Sequence, residues 1–360
     1  MIETEILIVG GGPAGATVAK YLSQANVKNI LIQRNFGFRK PCGGGIRIDG
    51  FDEFGISHEL IKTRVNSVEL VHKDKRVVVD ISNNPVAIVD RVEFDNALRE
   101  EAQKNGTQLE EATFVSLEVF DSYVISKVKK EGKELLIKSR YVIAADGVNS
   151  KIRKQVNGDS VSSFMTHYCD ITSQNYSSCA FHFGQEVAKQ NYAWAFPHAN
   201  GSNIGTVSDI GCLDALKVDL GVTESTRDLG YKIPNYDNTI FYKKRVFFVG
   251  DSASQVLPFT YEGIYYAMGA AKILADTLIA KKEPEDYEKE WSKKYKRKFD
   301  TLLKLQKLFL HNDFMIKVMM RLYESKHIQN QMIGMWLGDR ELKINAAFML
   351  RILKRMIKIN

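Results

Sequence analysis

The feature that most constrains this chain is the run from Glu5 to Ile32. Glu5-Ile6-Leu7-Ile8-Val9 is a continuous apolar strand signal, and Gly10-Gly11-Gly12-Pro13-Ala14-Gly15 follows at once with a G-x-G-x-x-G pattern. Ala16 to Gln24 then has helical periodicity, with Val18, Ala19 and Leu22 apolar, and Asn29-Ile30-Leu31-Ile32 reads as a second strand. The glycine pattern alone is weak. Between a strand and a helix, with another strand behind, it specifies a dinucleotide-binding βαβ unit. The glycines let backbone approach a pyrophosphate, and the helix start offers free N–H groups and the positive end of its dipole. Gly10, Gly12, Pro13, Ala14 and Gly15 are therefore candidate cofactor contacts. An acidic residue ordinarily closes the second strand and accepts the ribose hydroxyls. Here Gln33 stands there, followed by Arg34, and an amide can still hydrogen-bond a ribose.

Two later loops extend the site. Tyr141 to Ala145 reads as a strand running into Asp146-Gly147 and a helix start near Lys151. Arg245 to Val249 is a buried strand signal ending in Gly250-Asp251; Pro258 and Glu262-Gly263-Ile264 then lead into a helix from about Tyr265 to Ala280. Strand-to-loop transitions are where open α/β sheets place ligands. The chemistry suits FAD. Gly250 permits close approach, Asp251 can accept a ribityl hydroxyl, and a helix beginning near Gly263 favours the anionic reduced flavin. Val89 to Asp95 opens another helix, where Arg91 reads either as a cofactor contact or as an ordinary surface arginine.

Two segments carry chemistry of a different kind. In Phe38-Arg39-Lys40-Pro41-Cys42-Gly43-Gly44-Gly45-Ile46, three glycines make a loop that another group can overlie. Cys42 reads either as an active-site thiol, served by the glycine N–H groups and by Arg39 or Lys40, or as a small cysteine buried in a turn. In Tyr192-Ala193-Trp194-Ala195-Phe196-Pro197, strand alternation puts Tyr192, Trp194 and Phe196 on one face. Asn200-Gly201 is a turn signal, and Asn203 to Val207 reads as the returning strand. By pattern alone the aromatic row is either sheet core or the wall of a pocket.

These segments together resemble the geranylgeranyl reductase family, within the flavoproteins similar to p-hydroxybenzoate hydroxylase. The shared features are Gly10–Gly15, Pro41-Cys42-Gly43-Gly44-Gly45, Asp90-Arg91 with Phe94-Asp95, Ala144 to Ser150, Gly250-Asp251, and Pro258 with Glu262-Gly263-Ile264. The resemblance covers roughly residues 1–280. It implies FAD held by Gly10, Gly12, Gly15, Arg91, Asp251 and Gly263, with Gln33 in place of the family's usual Glu. Pro13, Ala14, Arg34, Cys42, Gly43, Gly44, Asp146 and Ile264 complete the expected cofactor shell. It also implies that Tyr192, Trp194, Phe196 and Pro197 line an isoprenoid pocket and that Cys42 acts there. The activity implied is saturation of isoprenoid double bonds in a lipid, quinone or prenyl diphosphate, by hydride transfer and protonation. A FAD-dependent monooxygenase of a hydrophobic substrate is the alternative. No second G-x-G-x-x-G is present, so the electron donor is a transiently bound NAD(P)H, a ferredoxin or another carrier.

Composition sets the remaining bounds. With 360 residues, 44% hydrophobic and 26% charged, the chain is of ordinary globular type. Four cysteines without a CxxC pair exclude a disulfide scaffold or a cysteine zinc site, and no HExxH occurs, so no metal is expected. No apolar run reaches membrane-spanning length, and the first residues lack a basic signal-peptide region. The expectation is a cytoplasmic protein. The fold class expected is α/β (α+β overall): a discontinuous Rossmann-like FAD domain with a parallel sheet (1–65, 86–158 and 241–283), an antiparallel-sheet substrate domain (66–85 and 159–240), and a helical C-terminal segment (284–360).

The net charge of +7 is concentrated at the C-terminus, where 17 Lys and Arg face 7 Asp and Glu from Glu288 onward. Phe348, Met349, Ile352, Leu353, Met356 and Ile357 recur at helical spacing with Arg351, Lys354, Arg355 and Lys358 between them. Leu302 to Met320 is a second apolar, Met-rich helical stretch. These patterns read either as core packing or as contact with an anionic membrane, for which the first suits a helix lying on the inner face of the cell membrane. Because the cations alternate with bulky apolar residues, no nucleic-acid partner is expected.

Overall fold

The computed structural model describes residues 1–198, 201–337 and 350. The chain divides into two compact units, each built from three stretches. The first unit is Met1–Pro41, Arg91–Ser163 and Ile233–Arg297; the second is Cys42–Asp90, Phe164–Lys232 and the chain from Lys298 on.

The first unit is organised on a sheet ordered Tyr242–Lys243, Val246–Phe248, Lys133–Ala144, Ile2–Val9, Asn29–Gln33, Gln108–Glu111. Every pairing from Val246–Phe248 to Gln108–Glu111 is parallel. Ile6, Leu7, Ile8 and Val9 are all buried, as a strand covered on both faces requires, which explains the unbroken apolar run. The hairpin Thr113–Val119 and Val124–Lys130 extends this sheet antiparallel to Lys133–Ala144. The helix Pro13–Gln24 packs against the helices Ile264–Ile279 and Arg91–Lys104. Small buried residues make that packing close: Ala14, Gly15, Ala16 and Ala19 on one helix, and Ala267, Gly269, Ala270 and Ala271 on another.

The second unit holds a seven-stranded sheet ordered Leu229–Pro234, Ser163–Ile171, Gly201–Thr206, Ala193–His198, Cys179–His182, Ser67–His72, Lys75–Asp80. Its central pairings are antiparallel except that Cys179–His182 runs parallel to Ser67–His72. One face carries Ala180, Ala193, Ala195 and Ile204 against Leu213 and Leu216 of the helix Ile210–Asp219. These small residues leave the large ones for the other face. A three-stranded sheet, Gly45–Arg47, Val86–Val89 and Ile61–Val65, completes this unit.

The C-terminal helices are shared out. Pro284–Trp291 belongs to the first unit, whereas Asp313–Tyr323 and Lys326–Trp336 belong to the second, the former packed on Ser67–His72 and Lys75–Asp80. The amphipathic pattern from Phe348 to Lys358 lies outside the described residues, as does Asn200 of the expected turn. Among the described residues no helix is long and apolar enough to cross a membrane.

Candidate active site

In the first unit the expected loops gather at the carboxyl ends of Ile2–Val9, Lys133–Ala144 and Val246–Phe248. Gly10 takes φ +105°, and a Cβ there would sit 2.2 Å from the Ala145 carbonyl oxygen. A Cβ on Gly15 would come within 1.9 Å of the Gly10 oxygen. Both glycines are thus required by the fold itself. Gly250, at φ +69°, faces Ala14 and Ala267, whose Cβ atoms would lie 3.1 and 3.4 Å from a Cβ placed on it. One loop therefore touches the two helices whose N-termini carry the other two glycine loops.

Gly12 is different. Its φ is an ordinary −75°, and an added Cβ would meet nothing within 4 Å. It caps the helix Pro13–Gln24 without a side-chain hydrogen bond, and Pro13 occupies the first turn. The helix Ile264–Ile279 likewise starts after Gly263 with no side-chain cap. An uncapped helix start beside open space at a glycine that the protein does not itself need is what a pyrophosphate requires. The residues present fit a dinucleotide.

The side chains around this cradle are engaged in specific ways. Gln33 accepts from the Gly11 N–H through Oε1 at 2.8 Å and donates through Nε2 to the Asn35 carbonyl at 3.0 Å. Its amide therefore ties the second strand to the glycine loop, while Arg34 beside it is exposed. Arg91 is buried, so its reading as a surface arginine is corrected: it grips Asp95 with Nε at 3.1 Å and Nη2 at 2.9 Å. Arg99, about two turns further along the same helix and unmarked by any sequence signal, donates to the Gly11 carbonyl at 2.7 Å and the Phe36 carbonyl at 3.0 Å. Asp146 accepts from the Ser150 hydroxyl at 2.6 Å and the Ile152 N–H at 3.2 Å, which orders the start of Lys151–Asn157. Burial pushes its carboxyl up, and those hydrogen bonds pull against the shift. Asp251 is paired with the Lys40 ammonium, and Ile264 is buried at the helix start.

In the second unit the aromatic row is continuous, with Tyr192, Trp194 and Phe181 buried and Phe196 half-buried. Tyr192 and Trp194 stand 6.3 Å apart by ring centroid, and Trp194 and Phe196 stand 6.4 Å apart. Phe181, from the neighbouring strand, reaches both Tyr192 and Phe196 at 5.1 Å. Trp336 of Lys326–Trp336 meets Phe181 edge-on at 5.9 Å. Trp194 donates to Asn203 Oδ1 at 2.7 Å, and Asn203 in turn donates to Asp170 at 2.8 Å. A Cβ on Gly205 would lie 2.3 Å from the Trp194 ring, so the indole occupies the space beside that glycine. Pro197 is buried, but alternation turns it to the face of Ala193 and Ala195, away from the aromatic row.

The cysteine loop packs on this surface. A Cβ on Gly43 would come within 2.7 Å of Phe196 Cδ2. Gly44, at φ +71°, leaves no room for a side chain beside the Val89 carbonyl and sends its N–H toward Cys42 Sγ at 3.4 Å. Cys42 is exposed, which corrects its reading as a small cysteine buried in a turn. Arg99 in the first unit, and Phe181, Trp336 and the Asn203 tether in the second, carry no functional mark in the sequence, whereas Lys40, a cation beside Cys42 by sequence, is found on Asp251.

Comparison with known proteins agrees with this geometry. The family described as FAD binding domain matches residues 3–211. A geranylgeranyl diphosphate reductase from Rhodobacter capsulatus is 30% identical over 297 residues, which span 78% of this chain and 76% of that protein. A digeranylgeranylglycerophospholipid reductase from Methanocaldococcus jannaschii is 27% identical over 326 residues, 82% of each chain. Among solved structures, a geranylgeranyl bacteriochlorophyll reductase-like protein from Thermoplasma acidophilum aligns with TM-score 0.74 at 19% identity, over 99% of this chain and 96% of that one. A p-nitrophenol 4-monooxygenase from Pseudomonas putida aligns with TM-score 0.75 at 14% identity, over 95% of this chain and 100% of that one, a likeness of fold alone. The chain belongs to the FAD-binding-domain family of flavoproteins and, within it, to the geranylgeranyl reductases.

Proposed function

We propose that this protein is a FAD-dependent reductase that saturates isoprenoid double bonds of a prenyl lipid, prenylquinone or prenyl diphosphate. The observation that carries the reading is the packing of Gly43 on Phe196. It joins, inside one unit, the two segments that separate the reductases from other flavoproteins of this fold: the cysteine loop and the aromatic strand.

FAD, when bound, supplies the hydride for one alkene carbon. Gly10, Gly12 and Gly15 with the helix Pro13–Gln24 are assigned to its pyrophosphate, and Asp251 and Gly263 to its ribityl and flavin end. The rest of the chemistry falls to the chain's other groups. An isolated isoprenoid alkene is a poor hydride acceptor, so the second carbon must receive a proton as the first is attacked. Cys42, exposed on a loop whose Gly43 lies against Phe196 of the aromatic row, is the residue we assign to that proton. Tyr192, Trp194, Phe196 and Phe181 offer a neutral apolar surface, on which each buried CH₂ of a prenyl chain gains about 0.8 kcal/mol. That surface holds an alkene and excludes water around it without binding a polar substrate tightly. The electron donor we expect is NAD(P)H or a ferredoxin.

Peripheral attachment to an anionic membrane is part of this reading. In the helices Arg297–Phe309 and Asp313–Tyr323, Leu308 and Phe314 are exposed beside Lys304, Lys307 and Lys317, a mixture that suits a lipid surface. Salt-washed membranes should retain the full chain and lose part of a chain ended after Lys343. Equal retention of both would remove the tail from the account.

Stopped-flow mixing of the anaerobically reduced holoprotein with geranylgeranyl diphosphate, or with a geranylgeranylated lipid, tests the function. The reading predicts flavin reoxidation that depends on the alkene and stops with the fully saturated analogue. Reoxidation only on admission of oxygen, stimulated by the prenyl compound, would make the protein a monooxygenase instead.

A further inference from the structure

In the sequence Lys40 is a cation two residues from Cys42. In the structure its ammonium is instead given to Asp251, 211 positions further along the chain. The Asp251 side chain is only 11% exposed and that of Lys40 29%. The pair sits at the start of the helix Ile264–Ile279, because a Cβ on Gly263 would lie 3.8 Å from Asp251 Oδ1. A carboxylate, an ammonium and a helix N-terminus therefore converge in the loop cluster assigned to the flavin.

Charge makes this arrangement consequential. FAD brings a doubly negative pyrophosphate, and the two-electron reduced flavin adds a further negative charge. A bare, largely buried carboxylate in that cluster would oppose both binding and reduction. Yet a ribityl hydroxyl needs an acceptor, and the Asp251 carboxylate is a good one. Pairing with Lys40 keeps the acceptor and cancels its charge.

We propose that Lys40 is a charge-compensating positioning residue for the flavin, holding Asp251 as a hydroxyl acceptor while removing its electrostatic penalty on the reduced cofactor. The proposal rests on the assignment of the Gly-Asp loop to FAD. It goes beyond that assignment by giving a role to the lysine that precedes the cysteine loop.

The test is the midpoint potential of the FAD-loaded holoprotein at saturating FAD for the natural chain, Lys40→Met, Lys40→Arg, Asp251→Asn and the double variant Lys40→Met/Asp251→Asn. Lys40→Met should weaken binding of reduced relative to oxidised FAD about tenfold, a fall of about 30 mV for a two-electron couple. Lys40→Arg should keep the natural potential, Asp251→Asn should raise it, and the double variant should return to within about threefold of the natural ratio. A Lys40→Met potential equal to the natural one, or a double variant as low as Lys40→Met, overturns the proposal. If Lys40→Met folds but takes up no FAD, recovery of FAD in the double variant supports compensation, and failure to recover refutes it. If the natural chain itself takes up no FAD, the assignment of the loop cluster falls and Lys40 with it.

Discussion

Gly12→Ala separates what the glycine loop does for the fold from what it does for the cofactor. At Gly10 and Gly15 the protein's own backbone occupies the place of a side chain, so alanine there should damage folding. At Gly12 nothing lies within 4 Å, and φ −75°, ψ −175° is open to any residue. Replacing an N-cap glycine by alanine costs about 0.5–1 kcal/mol of helix capping. Stiffening the unfolded chain returns about 0.4–1 kcal/mol. The net change in stability should be near zero. The cofactor sees something else, since the new methyl fills the space assigned to the pyrophosphate. Losing even two charge-assisted N–H···O contacts, each about 1.5–3 kcal/mol, removes at least about 3 kcal/mol. That is roughly a hundredfold in affinity. FAD titration followed by flavin fluorescence, beside thermal melts of the apoprotein, reads both quantities. The reasoning is refuted if Gly12→Ala binds FAD within about threefold of the natural chain, or if it melts as early as Gly15→Ala.

Other consequences are as direct. Gly205→Ala places a methyl 2.3 Å from the Trp194 ring and 2.6 Å from Tyr168 Cβ, and Trp194 is tethered to Asn203, so overpacking should cost about 1–3 kcal/mol. Thermal unfolding and tryptophan fluorescence would show a lower midpoint and a shifted indole; an unchanged melt would mean that Trp194 moves freely. His182 is 3% exposed, and burial lowers its imidazole to about 4 from an ordinary 6.5. Between those values the unfolded chain binds the extra proton, so stability falls as pH falls. The loss from this group should be about 2 kcal/mol between pH 7 and pH 5. Urea unfolding at the two pH values should show a smaller difference in His182→Gln, and an identical difference would assign the pH dependence elsewhere.

How far the sequence reveals this molecule depends on whether a feature is local. Ile6 to Val9 and Ile30 to Ile32 announce parallel strands because an unbroken apolar run fits a strand covered on both faces. The Asp146-Gly147 and Gly250-Asp251 loops are legible for the same reason, since strand, turn and helix start follow one another within about fifteen residues. Alternation in Tyr192 to Phe196 shows which residues share a face, and it equally turns Pro197 away, a consequence visible in the pattern but not drawn from it. What the sequence hides is long-range. Phe181 joins the aromatic row only because Cys179–His182 pairs with Ala193–His198, and no periodicity states that register. Gln33 looks like a weakened ribose ligand until its amide is found on the Gly11 N–H. Lys40 looks like a partner for the nearby Cys42, but charge seeks the largely buried Asp251. Arg91 has the polarity of a surface residue, and in the structure it is buried with its charge met by the Asp95 carboxylate one helical turn away.

The account stands or falls on the reduction of a prenyl double bond. Its most direct test is mass spectrometry of geranylgeranyl diphosphate, prenylquinones and geranylgeranylated lipids after anaerobic incubation with the dithionite-reduced, FAD-loaded protein. The account predicts a product that has gained two hydrogens per double bond, made by the natural chain and lost in Cys42→Ala while flavin binding and reduction persist. No gain of mass in any prenyl compound, from a protein whose flavin is bound and reducible, would contradict it.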